Sequence, residues 1–188
     1  CHEKLSLLDK ESENERIKLV GRFIFLAIDN VFLSVKFLFL GYFSQSGNSM
    51  RQSLESACMA ILISYEGEIE IGKGKTINFF EAYIKNYRNT RAHNSIRHVQ
   101  RNIEILGIQG QALDSILAGK GHYNNYSHPN MLTFAARMIN TDGGPLVAGG
   151  GYDSDKLSTC QQELEDRINF ASTLPDFICS ILNNVNHG

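Results

Sequence analysis

The run Ile17-Lys18-Leu19-Val20-Gly21-Arg22-Phe23-Ile24-Phe25-Leu26-Ala27-Ile28-Asp29-Asn30-Val31-Phe32-Leu33-Ser34-Val35-Lys36-Phe37-Leu38-Phe39-Leu40-Gly41-Tyr42-Phe43 decides the fold class. It holds no proline, and Ile17, Val20, Ile24, Ala27, Ile28, Val31 and Val35 recur at the three-and-four spacing of one helical face. Phe23, Phe25, Phe32, Phe37 and Phe39 widen that face, which predicts a central helix from Lys4 to about Tyr42 with neighbours on more than one side. The alternative, a membrane span, is opposed by Arg22, Asp29, Asn30 and Lys36, which would sit at costly depths in a bilayer.

Outward from this run the helical pattern continues. Ser44 to Ser49 reads as a turn, with Ser49 capping a second helix from Met50 to about Tyr65 whose Leu54, Ala57, Cys58, Ile61 and Leu62 face inward. Glu66 to Lys75 is a linker with a brief alternating, extended pattern. Within it Gly67 and Gly72-Lys73 match the spacing of a phosphate-binding loop, but Gly74 stands where Ser or Thr would hold magnesium, and Glu68 and Glu70 would repel phosphate. Thr76 can cap a third helix from Ile77 to about Arg88, with Phe79, Phe80, Tyr83, Ile84 and Tyr87 inward. Helices follow over about Ile96 to Leu106 and Gln109 to Leu117, and Gly119 and Gly121 break the pattern. After Pro129 a helix runs to about Ile139. Asn140 to Asp155, with five glycines and a proline, is a long loop, either a lid or a surface excursion. A last helix, near Ser154 to Asn184, turns Leu157, Leu164, Ile168, Ala171, Leu174, Ile178 and Ile181 inward and is interrupted at Pro175. The expectation is all-α: one domain over 1–188, a bundle of five to seven helices with a Gly-rich loop before the last.

Composition narrows the function classes. The 188 residues are 43 % hydrophobic, enough for one sizeable core. A formal charge of -2 gives no global attraction for nucleic acid or anionic membrane, so such a partner would need a local basic patch. Cys1, Cys58, Cys160 and Cys179 form no Cys-x-x-Cys pair and no disulfide framework, which reads as reduced thiols in a cytoplasmic protein. No His pair carries the spacing of a helical zinc site, and no Gly-x-Ser-x-Gly elbow is present, so neither a metal site nor a serine hydrolase is expected. No cofactor motif is found.

Three stretches carry chemistry. Gly121 to Pro129 gathers His122, Tyr123, Asn124, Asn125, Tyr126, Ser127 and His128, groups that donate, accept and shuttle protons near neutral pH. The structural reading of the same residues makes Ser127 an N-cap, Pro129 a first-turn residue, and Tyr123 and Tyr126 core side chains. Arg51 and Glu55 lie one turn apart on the second helix, and would reach His128 if they do more than pair. Tyr87 to Arg101 is the most basic segment, with Arg88, Arg91, Arg97, Arg101, His93 and His98, and can hold phosphate or present a solvated face.

Arg51-x-x-x-Glu55, followed by Tyr123-x-x-x-Ser127-His128-Pro129, resembles uncharacterised bacterial helical proteins related to the HEPN superfamily, over roughly Met50 to Met138. Arg88-Asn89-Thr90-Arg91-Ala92-His93 is similar to the Arg-polar-x-x-x-His signature of HEPN ribonucleases. The resemblance implies a homodimer that cuts RNA without metal. Arg88 would stabilise the phosphate, Asn89 orient, and His93 act as acid or base while the 2′-hydroxyl attacks, with His128 the rival catalytic histidine. It departs from the pattern in that Arg88 lies mid-chain and His122 stands where His128 would need an arginine. Set against metal-independent RNA cleavage, or RNA or nucleotide binding, is a non-enzymatic domain in which Arg51, Glu55, Tyr123 and His128 form a buried polar network.

Overall fold

The computed structural model describes residues 14–108, 110–126, 138–139, 147–148 and 154–187. Among them six α-helices make a bundle: α1 (Glu15–Phe39), α2 (Phe43–Ser64), α3 (Phe79–Ile84), α4 (Ala92–Arg101), α5 (Gly110–Asn124) and α6 (Leu157–His187). The all-α expectation holds, and the long N-terminal helix packs on α2 and α6 and meets α3 where the Phe23 and Tyr83 rings lie edge to face. No helix among the described residues is long and apolar enough to cross a membrane.

Asn14 caps α1 by accepting from the Arg16 backbone N–H at 2.9 Å. Val20, Ile24, Ala27 and Leu38 bury the inner line together with Arg16, Asn30 and Ser34. A three-residue connection then forces α2 back along α1. Arg16 locks the open end of this hairpin by donating to the Ser64 carbonyl at 2.5 Å and pairing with Glu66.

The helix α2 starts at Phe43, so the expected turn at Ser44 to Ser49 is its first two turns. Small polar residues signal a turn because they compete for backbone hydrogen bonds, but here Ser44, Ser46, Gly47 and Ser49 are buried. They let other helices approach closely: a Cβ at Gly47 would fall on the Tyr126 ring. Met59 to Ile63 is apolar on every side, and α2 meets α1, α3, α4, α5 and α6.

The extended piece after α2 is an antiparallel hairpin, β1 (Glu68–Gly72) with β2 (Lys75–Asn78). Lys73 and Gly74 both have positive φ, as a two-residue primed turn requires. The Gly72-Lys73 stretch is therefore a hairpin tip, not a loop between strand and helix. Thr76 and Ile77 belong to β2, and Asn78 caps α3, accepting from Glu81 N–H at 3.0 Å. The expected third helix begins later and ends at Ile84, where Asn86 takes positive φ. Asn102 holds the hairpin to α4 through both the N–H and the carbonyl of Glu70, each at 2.8 Å.

Further corrections concern the second half. Gly119 and Gly121 do not break α5, and at Gly119 a Cβ would stand 2.9 Å from Leu54 Cδ1, so the glycine sets how closely α5 lies on α2. Met138–Ile139 pairs with Val147–Ala148 as two short strands, β3 and β4, where a helix end and a loop were expected. The helix α6 runs through Pro175 without interruption. Its inward line is Glu163, Arg167, Phe170, Phe177, Ile178 and Ile181, whereas Leu157 and Ile168 are exposed.

Candidate functional site

The inward line of α6 explains the site. Arg167, 1 % exposed, donates from Nε to Ser34 Oγ at 2.6 Å and from Nη2 to Ser46 Oγ at 2.7 Å. Its Nη1 donates to Glu163 Oε2 at 2.6 Å and also to the Glu163 carbonyl. The Ser46 hydroxyl in turn donates to the Ser34 carbonyl at 2.7 Å. One guanidinium thus joins α1, α2 and α6. It also lies 5.5 Å from the centre of the Tyr123 ring, a cation-π distance, which adds α5.

Glu163, equally buried, turns its other oxygen to α5. Tyr126 O–H donates to Oε1 at 2.9 Å, and His122 Nε2 lies 2.5 Å from the same atom. An ionised carboxylate only accepts, so Nε2 carries the proton. Burial pushes the Glu163 acid up, but the hydrogen bonds from His122 and Arg167 outweigh it and hold the carboxyl at about 2. The bond to Glu163 raises His122 against the opposing effect of its own burial, with Asp166 adding and Arg167 subtracting. Burial, first, and the Glu163 charge raise both Tyr123 and Tyr126, which stay protonated.

His122 is the part of this network that reaches solvent, its side chain 43 % exposed. It stands on a cavity of about 320 Å³ between α2, α5 and α6. Leu54, Ala118 and Phe170 give the cavity an apolar body, while Asp166, Asn169 and His122 give it polar groups. The Tyr123 ring lines it as well, and its buried hydroxyl has no hydrogen-bond partner among the described residues. Such a volume lies at the lower end of the roughly 300–1,000 Å³ typical of small-ligand sites.

The other expected residues lie elsewhere. Arg51 Nε donates to Glu55 Oε1 at 2.9 Å, a partly buried pair on α2. The Glu55 carbonyl accepts from Ser95 Oγ at 3.2 Å, which ties α2 to α4. Tyr123 lies against a different arginine, Arg167. Ser127 and His128 lie outside the described residues.

Arg88 and Asn89 form a 3-10 turn before α4; they, Arg91, His93 and Arg97 are all exposed. The inward member of this segment is His98, which bonds the Asn89 carbonyl at 2.9 Å and meets the Phe79 ring edge-on. Burial lowers His98 against that hydrogen bond, with Arg101 and Arg97 adding. No group of His, Cys, Asp and Glu among the described residues is arranged to hold a metal ion.

Sequence reasoning found His122, Tyr123 and Tyr126 by their polar density and missed Glu163 and Arg167. The available signal was a Glu and an Arg four residues apart with Phe170 and Leu174 continuing the same helical line. Compared with models of protein families, with curated proteins and with solved structures, the chain matches none.

Proposed function

We propose that the protein is a small-ligand-binding helical domain whose cavity between α2, α5 and α6 takes a compact ring compound of the nucleobase or nucleoside kind. The carrying observation is His122 at the cavity, half-exposed and held toward its protonated form by buried Glu163. An imidazolium offers a donor, Asp166 an acceptor and Asn169 both, and Leu54, Phe170 and Tyr123 offer apolar faces. A ring whose edge both accepts and donates hydrogen bonds suits that set.

A second reading is favoured by the exposure of Arg88, Arg91, His93 and Arg97 on one turn and the helix it opens. Exposed arginines can contact RNA phosphates, and the HEPN-like resemblance would place metal-independent cleavage there, with His93 as acid or base in a homodimer.

One set of samples tests both. Amide NMR spectra are recorded with a panel of nucleobases and nucleosides, and separately with a short mixed-sequence RNA. Ligand binding predicts shifts confined to α5, α6 and the middle of α2, absent in a folded Ala118→Phe variant that fills the cavity. Shifts over Arg88 to Arg101 with RNA, and cleavage in EDTA lost in His93→Ala, would move the function to the basic face. No shift with any small compound at millimolar concentration sinks the cavity reading.

A further inference from the structure

The face of α1 that turns away from α2 and α6 repeats every seven residues. Phe25, Phe32 and Phe39 are seven apart, as are Leu26, Leu33 and Leu40, and Arg22, Asp29 and Lys36. Five of the six apolar residues, Phe25, Leu26, Phe32, Phe39 and Leu40, are between 45 % and 69 % exposed, and all three charged ones are exposed. Core packing does not explain this stripe, because the inner line of α1 runs through Val20, Ile24, Ala27 and Leu38. A period of seven is the spacing that keeps one seam facing another helix.

We infer that this face is a self-complementary docking surface, on which a second copy of the chain lays its own α1 antiparallel about a two-fold axis between Phe32 and Leu33. In that register every exposed apolar residue meets another: Phe32 faces Leu33 of the second copy, Leu26 faces Phe39, and Phe25 faces Leu40. The same register sets Asp29 against Lys36 twice, once on each side of the axis. A parallel pairing would instead put Asp29 on Asp29 and Lys36 on Lys36. Shifting the axis to pair Arg22 with Asp29 would leave Phe39 and Leu40 uncovered, and these are among the most exposed side chains of the stripe.

The area agrees with a homodimer. At ~200 Å² for a whole large side chain, the five residues present on the order of 500 Å² of apolar surface per protomer. A standard interface covers about 800 Å² per partner, about 65 % of it apolar in homodimers. The stripe spans about 22 Å of helix, at roughly 1.5 Å per residue. This inference is independent of the ligand reading, since the cavity lies between α2, α5 and α6.

The test is sedimentation equilibrium of the whole chain at low salt from about 1 to 100 μM, at or above the micromolar-to-picomolar range in which interfaces of this size dissociate. The parent is expected to be dimeric, and Phe32→Glu monomeric with unchanged circular dichroism. D29K and K36D each set like charges together on both sides of the axis and are expected to weaken the dimer at least tenfold, while D29K/K36D restores it. A monomer throughout, including one that binds vesicles of anionic phospholipid through this stripe, overturns the inference. A dimer indifferent to Phe32→Glu, or one that D29K/K36D does not rescue, assigns the association to another face or register and overturns it equally.

Discussion

Glu163 receives Arg167, Tyr126 and His122 on its two oxygens, and each partner can be replaced separately. That makes the pH dependence of stability a direct reading of the pair. A carboxyl lowered on folding contributes stability above its unfolded value, roughly 4.3, and loses it as pH falls toward about 2. A histidine raised on folding contributes fully below its unfolded value, roughly 6.5, and loses that contribution as pH rises through the folded value. His98 works the other way: lowered by burial, it favours the fold above its unfolded value and loses that as pH falls. His122→Gln separates the two histidines. In urea titrations the parent is expected to lose more stability than this variant between about pH 6 and pH 9, and both to weaken below about pH 4. Equal slopes above pH 6 would show that Glu163 does not favour the charged imidazole.

At the level of helices, the legible part was whatever apolar spacing marks, and the illegible part was whatever polar residues do when buried. The N-terminal helix is marked by Val20, Ile24 and Ala27, which are in the core. On α6 apolar spacing alone puts the exposed Leu157 and Ile168 on the inward line and leaves out the buried Glu163 and Arg167. The true line is rotated to include them, since their cost of burial is met by each other and by Ser34 and Ser46. Ser44 to Ser49 failed for a related reason: only small side chains let Tyr126 and Arg167 reach α2, and small polar residues look like a turn. The focal stretch at Gly121 to Pro129 was half legible, because three of its side chains join the network but their partners come some forty residues later. Gly47 gives this a sign that can be measured. Gly→Ala inside an exposed helix gains about 1 kcal/mol, yet at Gly47 the added Cβ would fall on the Tyr126 ring. Gly47→Ala is therefore expected to cost about 1–3 kcal/mol by overpacking. In a Tyr126→Gly background, which also removes the Tyr126 Cβ that would stand 2.7 Å away, the same change is expected to stabilise, and a cost in both backgrounds would place the clash elsewhere.

For the molecule as a whole, Arg167 touches partners on α1, α2, α5 and α6. Replacing one member of a buried pair leaves the other charge uncompensated, so Arg167→Met is expected to cost about 3–5 kcal/mol, much of a typical 5–15 kcal/mol total. The informative comparison is Arg167→Met with Glu163→Leu. If the pair serves stability, the double variant should stay as weak as the single one. If it serves to fix how four helices register, apolar replacements of similar size should recover most of the loss, because burying two ions costs nearly what their attraction returns. The arrangement favours the second outcome: the guanidinium reads two hydroxyls, a carboxylate and a ring face, directional contacts that an apolar joint would not reproduce. We expect the double variant to approach the parent in urea midpoint while its amide NMR spectrum loses dispersion around His122 and Tyr126, whose orientation depends on Glu163. A double variant as unstable as Arg167→Met would make the network a stabilising device. One as stable and as well dispersed as the parent would free both residues from any part in shaping the cavity.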